Sequence, residues 1–263
     1  MTDQDEIDAS RAPLLEHLIE LRRRLLYCIV AIGLAFAVSM YFSEAIFGFL
    51  AKPLLRAGQG TLVYTQIFEA FFVQVKVSFF AAMMISFPVI ANQLWQFVAP
   101  GLYRKEKKAL LPFLLATPVL FLMGAAMAYY IAIPMALHFL LGFDGMVGGV
   151  KREALPAIGN YLSFVMQFLF AFGLAFLLPV LLMLLERAGI VTRKQLIGAR
   201  RYAIVAATAI AAVLTPPDLM SQVLLAVPLI ILYELAIIGI WFTERARSKQ
   251  IAVEEDEEAD ATA

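Results

Sequence analysis

The chain reads as an all-α, polytopic membrane protein with six transmembrane helices, the last two short and paired as a hairpin. Three observations predict this. Hydrophobic residues make up 62% of the 263 and charged residues only 16%, against roughly 45–50% and about 25% in a soluble domain. Four apolar runs reach the length of about 20 residues that a bilayer crossing needs. The basic residues are one-sided: of 21 Lys and Arg, 16 fall at the N-terminus, in 99–108 and 187–201, or after 243. Lys52, Arg56, Lys151 and Arg152 fall in the remaining loops, and Lys76 falls inside a span. Lys and Arg accumulate in cytoplasmic loops, so both termini are expected in the cytoplasm.

Residues 1–12 are acidic at Asp3, Asp5, Glu6 and Asp8. They are expected to be a disordered cytoplasmic N-terminus, and their charge does not suit a cleavable signal peptide, which starts basic. A membrane domain follows over 13–244. It opens with LLEHLIELRRRLL (14–26), which places Leu14, Leu18, Leu21 and Leu25 on one helical face and Arg22, Arg23 and Arg24 at the mouth of a span. The spacing predicts helices near 25–45, 70–98, 109–138, 160–186, 202–215 and 219–242.

The fifth is short, because Tyr202–Leu214 covers only about 20 Å of a core about 30 Å thick. Charge still demands a turn there, since Arg200 and Arg201 precede the region and Arg245, Arg247 and Lys249 follow it. TPPD (215–218) supplies the turn. Pro216 and Pro217 stop one helix, and Thr215 with Asp218 starts the next as a capping box. The bilayer is expected to thin around this hairpin. Two loops, 43–68 and 139–159, are long, apolar in part and expected to fold against the membrane face. The tail 245–263, with its acidic run EEDEEAD, is expected to be disordered.

Composition excludes several functions. Net charge is zero, so the basic field used for nucleic acid is missing. One cysteine, Cys28, cannot form a disulfide framework, and His17 and His138 lie too far apart for a metal-ligand motif. No nucleophile–base pair and no phosphate loop is present, so neither an enzyme nor a bound cofactor or metal is expected.

The remaining candidates are polar groups in an apolar chain. Glu20 reads equally as a helix ion pair with Arg24, worth about 0.3–0.5 kcal/mol, or as a carboxylate held at the membrane surface for binding. Glu106, the one acid in PGLYRKEKK (100–108), reads as a solvated counter-charge or as a second carboxylate beside the first. Paired carboxylates there suit guanidinium groups, which they bond in bidentate fashion. Thr215, Asp218 and Gln222 cluster at the outer turn. Capping explains the first two, whereas Gln222, one turn into an apolar helix, has the amide to bond a partner helix. Glu234 and Lys76 are ionisable groups within spans and so functional candidates by default. The plainer readings are snorkelling to the interface, near Trp241 for Glu234, or pairing with an opposite charge, with Glu69, two turns from Lys76, as one candidate partner. Gln167, Asn92, Gln93 and Gln96 add polar points. A small-solute transporter is the alternative function, supported only by Glu234 and Lys76.

HLIELRRRLL (17–26), Pro53, FPVIANQLWQFVAPGLYRKEKK (87–108), YLSFVMQFLFAFG (161–173) and LTPPDLMSQ (214–222) closely resemble the TatC family, the core of the twin-arginine protein translocase. The resemblance runs from about residue 13 to 244 in order and spacing. It implies a cup of six helices that receives folded precursors whose signal peptides carry consecutive arginines. By resemblance Glu20 and Glu106 bind that pair, supported by Arg22 and Tyr103. Thr215 and Gln222 dock the helix of single-span TatA and TatB partners, and Pro53, Pro216, Pro217 and Asp218 shape turns. The family is driven by the proton-motive force and self-associates in a larger complex, without nucleic acid. The expected location is a bacterial cytoplasmic (inner) membrane. One departure stands out. Many relatives carry Glu or Gln two residues before the proline of AFLLPV (175–180), where this chain has Leu177. Gln167, about 15 Å away along the helix, is not expected to compensate.

Overall fold

The structure is a computed structural model. Its backbone is described over residues 3–102, 111–143, 145–147, 150–152, 154–215 and 219–261, and its side chains over 18–97, 113–143, 154–215 and 219–245. Among the described residues, five helical stretches are long and apolar enough to cross a membrane: Leu18–Tyr41, Glu69–Phe97, Phe113–Leu141, Ile158–Arg187 and Leu219–Arg245. A shorter helix, Arg200–Leu214, is the sixth candidate. The chain forms two compact units, 1–119 with 140–166, and 120–139 with 167–263.

In the first unit, α1 (Asp3–Tyr41) is one continuous helix of 39 residues. At about 1.5 Å per residue it is some 58 Å long, nearly twice the apolar core of a bilayer. The surface helix and the first span are therefore a single rod, and the helix stops at Tyr41 rather than near 45. Acidic residues favour the N-terminal end of a helix dipole, which accounts for helix beginning at Asp3 where disorder was expected over 1–12.

The loop expected over 43–68 contains α2 (Ser43–Arg56). Pro53 lies inside this helix, fully buried beside Leu50 and Leu54. It therefore packs a helix rather than making a turn. Both α1 and α2 lie against α3 (Glu69–Leu102), with the Phe36 and Phe79 rings edge to face at 6.4 Å. Val63 pairs in parallel with Ala157, and the two segments exchange backbone hydrogen bonds of 3.2 and 3.0 Å. A small antiparallel pair, β1 (Gly145–Val147) and β2 (Val150–Arg152), interrupts the otherwise helical fold within the expected loop 139–159.

The third span comprises α4 (Leu111–Met127), a π-helical turn (Ala128–Ala132) and α5 (Ile133–Leu141). Pro134 cannot donate a backbone hydrogen bond, and the ladder skips a register there: Ile133 N–H reaches back to the Ala128 carbonyl. A proline also divides the fourth span. Pro179 leaves the Ala175 carbonyl without its helical donor, so α6 (Ile158–Ala175) ends and α7 (Leu178–Arg187) begins after a break of two residues. Leu177 sits half-buried in that break. The single helix expected over 160–186 is thus two.

In the second unit, α7, α8 (Arg193–Gly198) and α9 (Arg200–Leu214) pack on α10 (Leu219–Ala261). Leu196, Tyr233, Ile237 and Ile240 form a buried cluster there. Thr192 and Gln195 close a capping box at the start of α8, and the Tyr233 hydroxyl donates to the Leu196 carbonyl at 2.7 Å. Gly124 and Gly173 let their helices approach closely. A Cβ on Gly124 would stand 2.9 Å from the Phe172 carbonyl carbon, and one on Gly173 would stand 2.6 Å from the buried Phe121 ring.

The expected shortness falls on α9, about 22 Å long. By contrast α10 runs 43 residues to Ala261, helical where disorder was expected over 245–263. The tail is rich in Glu and Ala, both strong helix formers.

Candidate functional site

Glu20 lies near the N-terminal end of the first span, and its carboxylate holds a guanidinium. Arg24, one turn on, donates to Glu20 Oε1 through Nε at 3.0 Å and again through a terminal nitrogen. The same guanidinium reaches across to α3, donating to Gln96 Oε1 at 2.8 Å and Gln93 Oε1 at 3.4 Å. Gln96 in turn donates to Asn92 Oδ1 at 2.9 Å. The side chains of Arg24 and Glu20 are only 13% and 27% exposed. This is more than a surface pair on one helix, because Arg24 fixes the carboxylate against a second helix. Arg22 is exposed on the same turn. Glu106 and Tyr103 lie outside the described residues.

At the turn after α9, Thr215 is the C-terminal cap of that helix, and the partner of its expected capping box, Asp218, lies outside the described residues. Its hydroxyl donates back to the Ala211 carbonyl at 2.8 Å. Pro216 and Pro217 lie outside them too. Gln222 is half-buried on α10 and donates to the Thr208 carbonyl of α9 at 3.4 Å, a long bond that holds it loosely. Gln167 donates to the Leu214 carbonyl at 2.6 Å. It satisfies a terminal carbonyl of α9 that the helix itself leaves without a donor, a role the sequence does not announce.

The intramembrane charges separate. Glu234 Oε2 accepts from Arg200 at 2.8 Å, so the pair clamps α10 to α9. This is the plain pairing reading, with a partner that was counted above only as a loop charge. Glu69 does not pair with Lys76 among the described residues. Its Oε2 accepts from Thr65 N at 2.6 Å, Thr65 Oγ1 at 2.9 Å and Gln66 N at 3.2 Å. Its Oε1 accepts from Gly159 N at 2.8 Å. One carboxylate thus caps the entry to α3 and ties it to α6. Nothing in the sequence spacing brings residue 159 to residue 69. No group of three His, Cys, Asp or Glu able to hold a metal occurs among the described residues.

The family model for the Sec-independent protein translocase protein (TatC) matches residues 16–228. The chain belongs to the TatC family. The Sec-independent protein translocase protein TatC of Magnetococcus marinus is 48% identical over 247 residues, covering 93% of this chain and 90% of that one. The TatC of Escherichia coli K12 is 39% identical over 233 residues, 88% of each. A crystal structure of the twin arginine translocase receptor TatC superposes with a TM-score of 0.74 at 40% identity, over 84% of this chain and 96% of that one. A second, in DDM, gives 0.75 at 39%, over 84% and 98%. As a TatC protein the chain is a multi-pass membrane component of the Sec-independent translocase. The transporter alternative loses much of its support, because Glu234 is spent within the hairpin. Arg24 is the TatC residue that sequence reasoning undervalued. In sequence it reads as a charge at the mouth of the first span and as the ion-pair partner of Glu20, and its contacts with Gln93 and Gln96 require the packing of α1 on α3.

Proposed function

We propose that this chain is the receptor and core of a twin-arginine translocase in a bacterial inner membrane, with both termini cytoplasmic. Glu20 and Glu106 bind the consecutive arginines of a folded precursor's signal peptide, with Arg22 and Tyr103 beside them. The supporting observation is that Glu20 already binds a guanidinium, its own Arg24, against α3. An incoming arginine meets a carboxylate that is held in place before binding, so little side-chain entropy remains to be lost. At the outer turn, Thr215 and Gln222 dock the transmembrane helix of a single-span partner of the TatA or TatB type. The loose bond from Gln222 to Thr208 leaves its amide able to exchange toward a neighbouring helix. The proton-motive force drives the movement, and several copies assemble.

One cross-linking experiment separates the two halves of this reading. Gln222→Leu is expected to keep full cross-linking to an Arg-Arg precursor and to lose co-purification of the partner subunit. Unchanged co-purification removes Gln222 from the docking site, and failure of the unsubstituted chain to cross-link the precursor removes the receptor role.

A further inference from the structure

The first unit contains a cavity of about 410 Å³ that the receptor function does not use. Glu69, Lys76, Gln66, Asn160 and Ser163 bring polar groups to it, and Phe72 forms an apolar wall. It lies at the end of the second span remote from the N-terminus, because α1 crosses the membrane once before α3 begins. Lys76 follows Glu69 by two turns, so both sit on one face of α3, with the lysine about 10 Å deeper in the bilayer. Glu69 is the anion at the mouth, fixed there by its four hydrogen bonds. Lys76 has no carboxylate partner among the described residues. A lone ammonium inside a span is costly unless something compensates it. Beside the cavity, Phe68, Phe71 and Phe72 are 72%, 58% and 58% exposed, an apolar margin for acyl chains.

We propose that this cavity holds the headgroup of a zwitterionic phospholipid from the adjoining leaflet, with its phosphate on Lys76 and its ammonium toward Glu69. The order of charges decides the class. A lipid of the phosphatidylethanolamine type carries its phosphate nearer the acyl chains and its ammonium nearer water. The cavity places its cation deep and its anion at the mouth, in the complementary order. Asn160 and Ser163 offer further polar groups to phosphate oxygens. An anionic headgroup such as phosphatidylglycerol satisfies Lys76 equally but brings only hydroxyls, and no cation, to the Glu69 carboxylate.

The test is native mass spectrometry of the full chain in mild detergent. Phosphatidylethanolamine or phosphatidylglycerol of the same acyl chains is added, with and without millimolar inorganic phosphate. The chain is expected to retain phosphatidylethanolamine in preference. Lys76→Gln lowers that retention about tenfold, the loss of one charged hydrogen bond, and Lys76→Arg restores it. Glu69→Gln abolishes the preference between the two lipids while total retention persists. Wild-type retention in Lys76→Gln, preference for phosphatidylglycerol in the unsubstituted chain, or displacement by inorganic phosphate (the mark of a soluble-anion site) each overturns the proposal.

Discussion

Replacing Glu20 or Glu106 by alanine is expected to weaken binding of an Arg-Arg signal peptide tenfold to a hundredfold while leaving the amount of membrane-inserted protein unchanged. Each charged hydrogen bond contributes about 1.5–3 kcal/mol net, and one decade of affinity corresponds to about 1.4 kcal/mol. The two positions differ in one respect. Glu20→Ala also releases Arg24, whose guanidinium then keeps only Gln93 and Gln96 on α3. A half-buried cation without its carboxylate adds a repulsive charge at the place where a cationic ligand must dock. Glu20→Ala should therefore cost more than Glu20→Gln, which retains an oxygen acceptor for Arg24. Titration of a labelled signal peptide against the full chain in nanodiscs checks this ordering. Equal affinity for all three proteins argues that Glu20 only neutralises Arg24.

The largest effect on folding is expected from Gly124→Ala. Alanine is the better helix former by about 1 kcal/mol, so an open position gains from the change. Gly124 is not open: the added Cβ meets the backbone of Phe172 and stands 2.9 Å from Phe176 Cβ. Backbone cannot rotate away as a side chain can, so the helices must separate, and overpacking of this kind costs about 1–3 kcal/mol. Gly33→Ala is the matched control, since nothing lies within 4 Å of its added Cβ. Thermal unfolding in detergent should show a lower midpoint for Gly124→Ala and an equal or higher one for Gly33→Ala. An unchanged Gly124→Ala protein contradicts the close packing of these helices.

Much of the fold was legible because membrane insertion writes itself into composition. Long apolar runs and one-sided Lys and Arg are local signals that can be read without knowing what packs on what. The proline effects were less legible. Pro179 and Pro134 were visible in sequence, but whether a proline kinks, divides or merely shifts a helix register depends on what packs around it. The ends are ambiguous for a related reason, since a run of acids and alanines carries helix propensity and disorder-like charge together. At the site, residue types were readable and partners were not. Spacing along one helix makes Glu69 a candidate partner for Lys76, whereas the backbone of Gly159, distant in sequence, takes one of its oxygens. Glu234 and Arg200 meet only because α9 turns back along α10. Tertiary neighbours of this kind leave no periodic trace in a single sequence.

Direct contact between the carboxylates and the signal arginines makes binding depend on the sign of both charges, and charge reversal measures that dependence. Glu20→Arg and Glu106→Arg are compared in cross-linking to a precursor carrying Arg-Arg and to one carrying Asp-Asp in its place. The reversed receptors are expected to lose the first precursor and gain part of the second. Undiminished cross-linking of the Arg-Arg precursor to both variants would contradict it and place the recognition site elsewhere on the protein.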